Sequence, residues 1–256
     1  MTPRPAESAS TAPIPQYRLH TILGIWAAAA VPMALLAWVV APAVADHLPG
    51  PSPMARALLL ALTAGLVWQF VLVAVLVHRE CGTWRWSAVR RALWLVAPTS
   101  PRTGRSGGRV WWMLVPFAAV FALEEFLPAI PPVAGHDLPA FLDSPDGTAL
   151  LGGNWGWFAV IVALAVFNTV LGEELLFRGL LLPRMNGVFG RFDWVANGVL
   201  FGAYHLHMPW AIPTAMLDTI ALAYPSRRYQ SAWMGIIIHS AQSVVIVVAT
   251  VAVVLR

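Results

Sequence analysis

Apolar residues run in blocks along this chain rather than alternating with polar ones. Runs near the roughly 20 residues that cross a bilayer as a helix occur at about 22–44, 56–78, 110–130, 155–177 and 232–254. Between 193 and 224 two shorter apolar runs meet at His207-Met208-Pro209, which predicts two further helices broken at the proline. Residues 84–96 set Trp84, Trp86, Val89 and Leu93 against Arg85, Arg90 and Arg91, the pattern of an interfacial amphipathic helix. The expectation is an all-α, polytopic transmembrane helical bundle of about seven to eight helices. Residues 1–20, rich in Pro, Ala, Ser and Thr without helical period, read as a disordered N-terminal tail. Residues 21–256 then form a single transmembrane domain. Ala43-Val44-Ala45 resembles a signal-peptidase site, but the apolar stretch before it is longer than such signals use, so a retained first span is expected.

Composition agrees with a bilayer. Of 256 residues, 59% are hydrophobic and 11% charged, which excludes an ordinary soluble domain. The mean hydropathy is +0.69. One cysteine, Cys81, excludes an intramolecular disulfide and a cysteine-based zinc site. The net charge of +4 rests on arginine alone and reads as topology, not as a nucleic-acid surface. Arginines gather in 79–109, while 131–154 carries Asp137, Asp143 and Asp146 and no basic residue. The positive-inside rule then places the N-terminus and the 79–109, 178–191 and Arg227-Arg228 segments in the cytoplasm of a multi-pass protein of the cell inner (plasma) membrane.

Candidate chemistry lies in the ionisable groups within these runs, each a functional-site hypothesis by position. Glu173 and Glu174 sit side by side late in the fourth run. Glu174 and Arg178 are four apart and can pair across one turn, while Glu173 points about 100° away. Phe201 and His205 share a face of the next helix, and His239 and Ser243 share a face of the last. Counted from the predicted cytoplasmic ends, Glu173 stands about 8 Å deep, His239 about 10 Å and His205 about 18 Å, a mismatch that a late helix start or tilt has to remove. A carboxylate that takes a proton from water and imidazoles that pass it on and donate to an oxyanion suffice for hydrolysis. Glu124-Glu125 is also an intramembrane pair, but position 129 is alanine, so it reads as structural. His207 falls on the opposite face to His205 if the helix continues. Asn197, roughly on the face of His205, reads as an interhelical hydrogen bond.

Glu-Glu-x-x-x-Arg from Glu173, Phe-x-x-x-His from Phe201 and a C-terminal His-x-x-x from His239 resemble the signature of the CAAX-processing endopeptidases and their bacterial relatives, the CPBP intramembrane proteases. The resemblance covers about 167–245, and Gly-Glu-Glu-Leu-Leu-Phe-Arg-Gly around the acid pair strengthens it. It implies an all-helical membrane bundle with a cytoplasmic-facing active site. It also implies that Glu173 activates water with His205 assisting, that Arg178 fixes Glu174 as a second acid, and that His239 donates to the oxyanion. The family's last motif ends in Asn, and here Ser243 stands in its place, a shorter and less directional donor. The implied activity is that of a glutamic-type intramembrane endopeptidase without a cofactor, acting on a membrane-associated protein or peptide in the lipid bilayer, with no nucleic-acid partner. Zinc on Glu173, His205 and His239 is the secondary reading, although no His-Glu-x-x-His pair is present. A non-catalytic scaffold or immunity-type binding protein is the alternative function.

Overall fold

The computed structural model describes residues 13–128 and 130–255. Residues 1–12 of the expected tail lie outside them. Residues 13–18 carry no helix, and the Gln16 amide donates to the Pro183 carbonyl at 2.9 Å. Among the described residues the chain is all helical. One isolated bridge, Thr99 with Ser106, is the sole β pairing there.

Among the described residues, four helices are long and apolar enough to cross a membrane: α1 (Leu19–Ala45), α2 (Pro53–Cys81), Trp155–Arg184 and Trp233–Val254. Between them lie shorter pieces. The amphipathic segment forms α3 (Trp86–Ala92), with Leu93 buried just after it and Trp84 and Trp86 turned outward. The run expected at 110–130 is broken. Only α4 (Leu114–Phe121) within it is α-helical, with 3-10 turns before and after, and Leu127 goes extended ahead of Pro128. Trp155–Arg184 is α5, and α6 (Asp193–Tyr204) follows it. The stretch to residue 224 is cut into turns around Pro209 and Pro213, because each proline lacks an N–H and clashes with the turn before it. Trp233–Val254 is α7. The expected count of seven to eight helices is not confirmed: among the described residues four helices have the length and apolarity of spans. Proline divides the middle of the chain into pieces too short to count as spans.

α5 is the centre of the molecule. Its start is capped by the Asn154 side chain, which accepts from the Trp157 N–H at 3.2 Å. Its second half, from Gly172 on, is buried on every side. Leu175–Leu181 pack with Ile22 and Met33 of α1, Leu66 and Val73 of α2, Phe201 and Tyr204 of α6 and Ile236 of α7. Val71, Val75, Val244, Val245 and Val248 are exposed on the outside of the bundle, an apolar belt suited to lipid and not to water.

The basic segments gather at one end. Arg184, fully buried, donates through Nη1 to the carbonyls of Ala92 and Leu180 and through Nε and Nη2 to Glu80. The Tyr17 hydroxyl donates to the same Glu80. The Thr99 N–H reaches the Tyr229 carbonyl at 2.8 Å, and the Ala232 N–H reaches that of Trp94 at 2.9 Å. The 79–109 segment is thus fastened to the start of α7 beside the ends of α2 and α5.

Candidate active site

Glu173 and Glu174 lie in a widened part of α5. The backbone runs as π-helix over Phe167–Gly172 and again over Leu175–Leu181, leaving the acid pair between two such stretches. Segments of this kind are rare and concentrate at functional positions, since the extra residue per turn re-aims the side chains around it. Gly172 permits the approach of α2 here, because a Cβ would stand 3.2 Å from the Leu66 carbonyl oxygen.

The two carboxylates face different surroundings, as the helical geometry predicted. Glu174 is wholly buried, with Oε1 3.2 Å from Nη1 of Arg178. The same oxygen lies 3.1 Å from Nδ1 of His239. Glu174 therefore spans α5 and α7 and holds His239, a contact the spacing did not reveal. Arg178 sets its guanidinium carbon 4.0 Å from the centre of the Phe201 ring, a cation–π contact. Glu173, 2% exposed, instead lines a cavity of about 470 Å³ together with Phe201, His205, His239 and Ser243. The rings of His205 and His239 stand edge-on to Phe201 at 5.0 and 6.2 Å, so one phenyl ring spaces both imidazoles.

The depth mismatch of His205 closes for a definite reason. α5 does not end near residue 177; it continues to Arg184. Glu173 is then eleven residues, about 16 Å, from the end of its helix, and His205 follows α6 twelve residues, about 18 Å, after Asp193. His205 Nδ1 lies 3.0 Å from the Phe201 carbonyl oxygen. A carbonyl only accepts, so Nδ1 carries a proton, and in the neutral ring Nε2 keeps a free lone pair. Ser243, 9% exposed, points its Oγ toward the Ala165 carbonyl at 3.5 Å, the outer limit of a hydrogen bond.

Several residues were not anticipated. His207 lines the same cavity and stacks on His205 at 5.5 Å, because the chain tightens to a 3-10 turn at 205–207 and no longer sends the second histidine to the far face. Glu124, read as structural, also lines it, and so does Asp218. Tyr204 lies alongside Glu173 and accepts at its hydroxyl from the Gln69 amide at 2.6 Å, leaving its own O–H to donate. Gln69 was detectable as the one amide inside the second apolar run. Asn197 makes the expected bond between helices, donating to the Phe177 carbonyl at 2.9 Å. Among the described residues, no three His, Cys, Asp or Glu side chains are disposed to hold a metal ion.

Gly235 is a constraint on the pair. A Cβ there would stand 2.3 Å from Glu174 Oε2 and 3.1 Å from Arg178 Cγ. Gly235→Ala should therefore push Glu174 off His239 and slow any reaction carried out at this site about 10- to 100-fold, as small misplacements of site groups do. Wild-type rates in G235A, with the protein monodisperse, would show that Glu174 need not be held there.

Residues 155–245 match the family model described as type II CAAX prenyl endopeptidase, Rce1-like. The resemblance to CAAX-processing endopeptidases of the CPBP class is thus shown over the stretch that carries the site, from the start of α5 to just past Ser243. No curated protein and no solved structure matches the chain. The match covers about a third of the chain, and it includes two of the four helices that are long and apolar enough to cross a membrane.

Proposed function

We propose that the protein is an intramembrane endopeptidase that cleaves a peptide bond of a membrane-associated protein or peptide with water activated by Glu173. The observation that carries this reading is the division of labour between adjacent acids. Glu174 is bound to Arg178 and His239, while Glu173 opens onto a cavity shared with both motif histidines.

In this mechanism Glu173 takes a proton from water as the oxygen attacks the scissile carbonyl. Tyr204, itself fixed by Gln69, orients the carboxylate. The oxyanion accepts from His239 and from the Ser243 hydroxyl, whose proton turns to it from the long 3.5 Å contact with the Ala165 carbonyl. With Nδ1–H of His239 given to Glu174, donation from Nε2 requires the imidazolium, which the Glu174 carboxylate accommodates. His205, with Nε2 free, relays the proton from Glu173 to the leaving amine. The reaction needs no metal ion: hydrolysis should persist in EDTA and 1,10-phenanthroline. Loss of activity in chelator, restored by zinc, would overturn the metal-free form. The gathering of arginines at one end supports an inner-membrane orientation with that end, and the site's access, cytoplasmic.

The test is cleavage by purified protein in proteoliposomes made in water enriched in oxygen-18. One heavy oxygen should enter the new carboxyl terminus of the product. A peptide bound but never cleaved would favour the scaffold or immunity-type reading, which the serine at position 243 keeps in view.

A further inference from the structure

The cavity holds a second pair of carboxyl groups that the proposed reaction does not use. Glu124 comes from the 3-10 turn Ala122–Phe126 after α4, and Asp218 from the turn preceding the π-helical Thr219–Ala223. α4, which leads into the 3-10 turn, packs on the π-helical segment, and both pack on α7. Phe121, one turn before Glu124, sets its ring 5.8 Å from that of His239, which places this wall beside the candidate active site. Asp218 is only 4% exposed and its carboxyl lies beside that of Glu124; Oδ1 of Asp218 and Oε1 of Glu124 are buried without a hydrogen-bond partner. Both residues line the cavity with Glu173 and His239.

A buried carboxylate is tolerated when paired or hydrogen-bonded, and an orphaned one marks a missing partner. No arginine lines this cavity, and the chain has no lysine. Arg178 is bound to Glu174. The remaining wall is mostly apolar, and about 470 Å³ suffices for a long side chain and its neighbours. We propose that Glu124 and Asp218 form a subsite for a cationic side chain of the peptide substrate, with guanidinium the best fit. Its five N–H donors in a planar fork match carboxyl oxygens presented from two sides, and its apolar stem suits the rest of the wall. The proposal rests on the endopeptidase reading for calling the ligand a substrate, but binding itself requires no hydrolysis.

Synthetic nonapeptides carrying one arginine, moved through each position, would be titrated against the full-length protein in detergent micelles beside twins bearing citrulline, the neutral isostere. At one position or two adjacent ones arginine should bind about 10-fold more tightly, the worth of one charge-assisted hydrogen bond, and E124Q/D218N should abolish the difference. Arginine peptides that bind no better than their twins at any position, or a preference that survives in the folded double variant, would overturn the subsite. The wild-type comparison needs no variant to fold. Preference without cleavage would sink the endopeptidase reading alone, and cleavage without preference the subsite alone.

Discussion

Glu173→Gln should lower the rate of peptide cleavage by about 10²- to 10⁴-fold, the range a positioned general base supplies. Glutamine keeps the size of the side chain, and its amide still accepts from Tyr204, which lies alongside. Glu173 forms none of the ion pairs that hold the bundle, so the variant should fold and bind peptide as wild type does, losing kcat and not KM. Single-turnover cleavage of a quenched peptide by detergent-purified protein measures the loss, and the thermal unfolding midpoint checks the fold. Residual activity above about one-tenth of wild type would remove Glu173 from the role of base.

The contrast between the two acids was legible in the chain because a helix separates neighbours by about 100° and brings residues four apart together. That rule found Glu174 with Arg178, Phe201 with His205 and His239 with Ser243. It depends on regular α-helix, and it failed where the backbone departs from one. The 3-10 turn at 205–207 brought in His207, which regular periodicity had sent away. The breaks around α4 turned Glu124 to the cavity, where a straight span reads as a structural acid pair. The end of α5 was placed too early, because residues 178–184 are buried by neighbouring helices and Arg184 by its bonds to Glu80. No local hydropathy pattern reveals an arginine paired that way. Tyr204 and Gln69 meet across α6 and α2, 135 positions apart, a pairing that only the packing discloses.

Glu174→Gln should act on stability first and on activity through it. Arg178 is fully buried in the bundle, and Glu174 is its one ion-pair partner among the described residues. The Phe177 and Phe201 rings also face the guanidinium and offer the weak cation–π contact. Removing one member of a buried ion pair leaves an uncompensated charge, at a cost of about 3–5 kcal/mol. Stability measured by SDS titration in mixed micelles should fall by that amount. Replacing both partners with neutral side chains of similar volume, as in E174Q/R178M, should return most of it, because no lone charge then remains. The double variant should nevertheless stay slow, since the Glu174 charge that meets Nδ1 of His239 is gone and the imidazolium loses its counterion. Recovery of stability without recovery of kcat separates the two duties of Glu174, ballast for Arg178 and anchor for His239. A double variant that regained both would show that His239 acts without Glu174, and a single variant as stable as wild type would show that Arg178 finds its counter-charge elsewhere.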